Sequence, residues 1–152
     1  YTAKDGWYLD FDSSDYPGER VVSNPIVRGG RVIFPTLAPK TEPCDFGGTG
    51  WLMELDAENG SRLTVSPFDV NNDTAINASD FVSVVISDGA ESVEVTVPVS
   101  GRKSTVGIVK TPAVISTGTQ ELKYFSGSSG AVETVRESSG DKLGRQSWLQ
   151  LH

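Results

Sequence analysis

The stretch "VEVTVPV", from Val93 to Val99, alternates apolar and polar positions: Val93, Val95 and Val97 fall on one face, Glu94 and Thr96 on the other. A period of two is the signature of a strand. Upstream, "ASDFVSVV" (78–85) opens with polar residues that suit a helical turn capped by Asn77 or Ser79, then becomes strand-like. Between the two runs, "SDGAES" predicts a hairpin turn.

Two longer stretches share one plan. Asn24-Pro25-Ile26-Val27 aligns with Thr111-Pro112-Ala113-Val114, and a turn follows each, Arg28-Gly29-Gly30 or Ser116-Thr117-Gly118. Next comes a strand, Val32-Ile33-Phe34 or Leu122-Lys123-Tyr124-Phe125. A Gly-rich step then leads into another strand, Trp51 to Leu55 or Ala131 to Val135, and a tight turn closes each unit at Glu58-Asn59-Gly60 or Ser138-Ser139-Gly140. Strand, turn, strand, turn, strand is a meander, the unit of a propeller blade, which needs neighbours to bury its faces. A β-sandwich with two similar hairpins is the alternative. Asn59-Gly60 predicts a type I′ turn with positive φ at both residues.

Composition agrees with an all-β chain. The 152 residues suffice for one domain with a core, and 16 Gly and 8 Pro accompany many Val, Thr and Ser. The net charge of −7 argues against nucleic acid and anionic membrane surfaces and is compatible with cations. No apolar run reaches the roughly 20 residues of a membrane span. The single cysteine, Cys44, can form no internal disulfide and is either a small buried hydrophobe or paired outside this chain. A first residue of Tyr1 and not Met suggests a piece of a longer protein.

The charge draws attention to "FDVNNDTAINASD", residues 68 to 80. A twelve-residue calcium loop takes its oxygen ligands from positions 1, 3, 5, 7, 9 and 12. With Asp69 as position 1, Asn71 and Asp73 fall at 3 and 5, Ala75 offers its backbone carbonyl at 7, Asn77 sits at 9 and Asp80 at 12. A chain wrapped around an ion turns every second side chain inward, which gives the spacing its meaning. Ile76, at position 8, is placed to anchor the loop. Position 6, where a sharp turn favours Gly, is Thr74, and a β-branched residue in the left-handed region there weakens the site about tenfold. Three carboxylates favour calcium over magnesium, with an affinity of roughly 10⁻⁶ to 10⁻³ M. The alternatives are an acidic turn whose Asn and Asp side chains cap their own backbone, and glycosylation at Asn72-Asp73-Thr74 or Asn77-Ala78-Ser79.

The segment "SNPIVRGGRVIFPT…GTGWLMELDAENGSRL" resembles a blade of the quinoprotein-type propeller repeat, through Leu52, Leu55, Asp56, Ala57 and Gly60. More specifically, "GWYLDF", "GERVVSNPIVRGGRVIF", "PCDFGGTGWLMELDAENG", "KSTVGIVKTPAVI" and "LGRQSW" together resemble the C-terminal end of PilY/PilC-type proteins, the type IV pilus biogenesis factors and tip-associated adhesins. The resemblance covers nearly the whole chain. It implies the last blades of an eight-bladed propeller, as one domain over 1–152 with insertions at about 35–47 and 66–102, the latter a calcium loop that pins an added hairpin. It also implies a place at the pilus tip or outer surface of a bacterium, pilins and other pilus proteins as partners, roles in pilus extension and retraction, and attachment to host-cell or abiotic surfaces.

An enzyme is not expected, and no catalytic or organic-cofactor residues are assigned. The only histidine is His152, Cys44 has no His partner, and Glu54 with Asp56 on one strand face is better explained by Asp56 shaping the turn to Gly60. Trp7, Trp51 and Trp148 are expected to pack between blades, the alternative being a recognition surface. The competing readings are a fragment of a quinoprotein-type dehydrogenase and a dockerin-like calcium module; the latter carries two such loops on helices, whereas this chain has one amid strands. The expected cofactor is calcium, bound by Asp69, Asn71, Asp73, Ala75, Asn77 and Asp80.

Overall fold

The computed structural model describes residues 6–11, 14–42, 47–87, 89 and 91–140. Cys44, Trp148 and His152 lie outside them. Among these residues nine strands form, in chain order β1 (Ile26–Arg28), β2 (Arg31–Pro39), β3 (Gly48–Asp56), β4 (Phe81–Ser87), β5 (Ser92–Pro98), β6 (Gly101–Lys103), β7 (Ala113–Ser116), β8 (Gln120–Ser126) and β9 (Val132–Ser138). The sole helical element among the described residues is a 3-10 turn, Ala78–Asp80, capped by Asn77. The protein is all-β.

Both repeats are antiparallel meanders. β1, β2 and β3 pair in sequence with β6 added to the outside of β3, and β7, β8 and β9 form a second sheet of three. Gly29 and Gly30, with φ of 56° and 74°, make the two-residue turn between Arg28 and its partner Arg31, the positive-φ pair that a type I′ turn needs. At Asn59-Gly60 the expectation is corrected. Gly60 has positive φ but Asn59 does not. Instead Asp56 Oδ1 accepts from the backbone N–H of Glu58 and of Asn59, at 2.9 and 3.1 Å, and this side-chain cap shapes the turn.

Residues 35–39 belong to β2, which pairs with β3 without interruption as far as Pro39 and Gly48, and residues 101–103 are the fourth strand of the first sheet. Between them β4 and β5 form a separate two-stranded hairpin whose faces are mostly exposed. The N-terminal arm covers the first sheet: Phe11 meets Phe34 edge-on, Tyr16 meets Trp51, and Thr36 Oγ1 donates to Glu19 at 2.5 Å.

The core lies where the two larger sheets share a cluster of Ile33, Leu52, Phe68, Val106, Val109, Phe125 and Val135. Strand alternation continues this buried face into charged residues. Arg31, Glu54, Glu121, Lys123 and Glu137 are each at most 3% exposed. Lys123 Nζ pairs with Glu54 at 2.5 Å and with Glu137, Arg31 donates to Glu54 at 2.6 Å, and Arg28 reaches Glu121 at 2.5 Å. Three glutamates face two buried cations, Arg31 and Lys123, and the third cation, Arg28, reaches in from a side chain that is 42% exposed. Among the described residues no sheet closes on itself.

Candidate metal centre

Asp69 opens the loop from inside the protein. The segment before it, Ser66 to Phe68, is buried, and Phe68 bridges to Glu137 on β9. Its backbone is clamped on both sides: Asp69 N–H donates to Arg136 O at 3.4 Å, and Arg102 Nη1 donates to Asp69 O at 2.9 Å. Asp69 is therefore 4% exposed. Its Oδ2 accepts from Thr74 N–H at 3.0 Å, whereas its buried Oδ1 has no hydrogen-bond partner. A buried carboxylate oxygen without a donor carries a desolvation penalty that a cation would relieve.

The chain then winds back on itself. Asp73 N–H donates to Asn71 Oδ1 at 2.9 Å and Ala75 N–H to Asp73 Oδ1 at 2.8 Å, so each acceptor side chain is held by the amide two residues on. Thr74 has φ of 70° and Asn72 60°, so the left-handed turn expected at position 6 is present although the residue is not Gly. Ile76 is half-buried. Asn77 caps the 3-10 turn by accepting from Ser79 N–H at 2.8 Å, and Gln120 Nε2 ties Thr74 O to β8 at 3.2 Å.

Asp80 is fully buried. Oδ1 accepts from Val70 N–H at 2.7 Å and Oδ2 from Asn77 N–H at 2.9 Å. The carboxylate thus closes the loop across its two ends. Among the described residues, no three acidic, His or Cys side chains converge on one point as a metal cluster. The donor chemistry, the left-handed turn and the orphan Oδ1 of Asp69 fit a hard cation. Asp73 and Asp80 are directed at loop amides and the Asn71 amide group rather than at a common centre.

Sequence reasoning missed the buried ion network and the loop's tethers, Arg102, Gln120 and Arg136. One signal was available: on β8, Glu121 and Lys123 share the face of Phe125, and on β9 Glu133 and Glu137 share that of Val135. Charges at apolar-phase positions of a strand mark a face buried with its counter-ions. Trp51 is half-buried against Tyr16 of the N-terminal arm, and the exposed Trp7 donates to Ala57 O at 3.3 Å.

No family model and no solved structure matches the chain. A type IV pilus biogenesis factor PilY1 homolog of Xylella fastidiosa is 33% identical over 121 residues, 78% of this chain and 6% of that protein. A second homolog from that bacterium is 30% identical over 119 residues, 72% of this chain and 10% of its own length. PilY1 of Pseudomonas aeruginosa PAO1 is 32% identical over 82 residues, 53% of this chain and 7% of that protein. The chain spans a tenth or less of these relatives. Over most of its own length it is a PilY1-like segment.

Proposed function

We propose that the chain is a calcium-binding, non-enzymatic segment of a type IV pilus biogenesis protein, acting at the pilus tip or outer cell surface. Its two meanders are the last blades of a larger propeller, and its partners are pilins and other pilus proteins, with host-cell or abiotic surfaces as the substrate of attachment. The names of the relatives support the pilus role. The calcium reading is carried by one observation: Asp69 Oδ1, buried and without a donor, stands at position 1 of a loop whose sixth residue is left-handed. Asn71, Asp73, the Ala75 carbonyl, Asn77 and Asp80 complete the ligand set, and cation uptake exchanges some N–H···O bonds of Asp73 and Asp80 for metal–oxygen bonds. The bound ion stiffens the loop and stabilises the folded chain by mass action.

Calorimetric titration of calcium into the wild type and an Asp69→Ala, Asp73→Ala variant tests this. Saturable heat in the wild type and none in the variant is expected. Equal heats, or melting temperatures indifferent to calcium in both, would sink the metal reading.

A further inference from the structure

Beside the loop lies a half-open cavity of about 250 Å³, lined by Asp69, Asn72, Thr74, Arg102, Leu122, Thr134 and Arg136. Two of its lining residues, Arg102 and Arg136, carry guanidiniums in a chain of net charge −7. Neither Arg102 nor Arg136 pairs with a carboxylate among the described residues: Arg102 donates to the Asp69 carbonyl, and Arg136 donates to Gln120 Oε1 at 3.1 Å. A guanidinium has five N–H donors, so most of each fork remains for a ligand. Asp69 lines the same cavity, yet its carboxylate turns into the loop to meet Thr74 N–H. The negative and positive groups are side by side and aimed at different things.

We propose that this cavity is a carboxylate-binding site gripped by Arg136 and Arg102, that its ligand is an acidic side chain of a partner polypeptide, and that its occupancy is coupled to the cation in the loop. Guanidinium forks match the two oxygens of a carboxylate. Leu122 supplies an apolar wall for the methylenes of a Glu or Asp side chain, and the Thr134 hydroxyl a further donor. The coupling rests on the calcium reading above. Three loop carboxylates, one divalent cation and two guanidiniums leave a single positive charge, which one carboxylate cancels. Without the cation the same groups are net negative and repel the ligand. By linkage, the ligand must then tighten calcium by the same factor that calcium tightens the ligand.

The test titrates a blocked tetrapeptide with a central Glu, and its Gln counterpart, into the full chain with saturating calcium and with excess chelator. The Glu peptide is expected to bind with calcium and about tenfold more weakly without it. The Gln peptide should not bind. Arg136→Gln should abolish binding while keeping the wild-type circular dichroism spectrum, and Arg136→Lys, which keeps charge but not the fork, should retain part of it. Peptides that bind alike, or binding unchanged in Arg136→Gln, overturn the site, and equal affinity with and without calcium overturns the coupling. Absence of calcium heat in the same cell removes the loop reading and the coupling together. The Arg136→Gln comparison in chelator then still judges the arginine pocket.

Discussion

Thr74 holds a φ of 70°, where a β-branched side chain costs roughly 1–2 kcal/mol relative to glycine. Its amide is bonded to Asp69 Oδ2 and its carbonyl to Gln120, so the surroundings enforce the conformation. Thr74→Gly removes the strain without touching a ligand. Calcium affinity should rise about tenfold in calorimetry; unchanged or weaker binding means that the loop abandons this turn when loaded. At the other buried charge centre, desolvation pushes the Lys123 ammonium below its ordinary value of 10.5, opposed by Glu54. Between the depressed folded value and 10.5 the unfolded chain holds more protons, so this group makes stability rise with pH. Urea midpoints should climb through that window more in the wild type than in Lys123→Met, and parallel pH profiles would contradict this.

At the scale of elements, the meanders were legible because their signals are local. Period-two runs fix which residues face inward, and Gly29-Gly30 fixes the turn of the first hairpin. Asn59-Gly60 misled because Asp56, three residues upstream of Asn59, supplies an acceptor that reshapes the turn. The ionic face was hidden for a different reason. Glu54 and Lys123 are 69 residues apart, and nothing in either strand alone reveals the counter-charge. The loop's acceptors could be read off their spacing, whereas the orientation of Asp73 and Asp80 depends on which donors reach them. Gly60 offers a check on how an element end is fixed. A Cβ there would meet the Trp7 ring at 2.3 Å, and φ is 70°. Gly60→Ala should lower stability by about 1–2 kcal/mol in urea melts through backbone strain and displaced Trp7. A neutral result would show that Trp7 moves away freely and that the turn relaxes.

For the whole molecule, the loop is the place where separate sheets meet. Arg102 comes from the first sheet, and Gln120 and Arg136 from the second; all three contact residues 69 to 74 or their hydrogen-bonded neighbours. Calcium at a hundred times its dissociation constant should therefore stabilise the chain as a unit by about 2.7 kcal/mol. A single melting transition that moves upward with calcium concentration is the expected observation. Two transitions, only one of them calcium-sensitive, would confine the effect to the loop and hairpin.

The buried run from Pro67 to Asp69 does more than deliver the loop. It lies along β9, with Ser138 N–H donating to Pro67 O at 3.0 Å and Asp69 N–H to Arg136 O, on the side of β9 away from β8. It is a cover strip over backbone groups that could otherwise recruit a strand from another molecule. Whatever loosens the loop peels that strip from its anchored end. On the calcium reading proposed above, depletion exposes a template for self-association before the core is lost, and a chain kept in chelator should form sheet-rich aggregates at temperatures below its melting point where a calcium-loaded one does not.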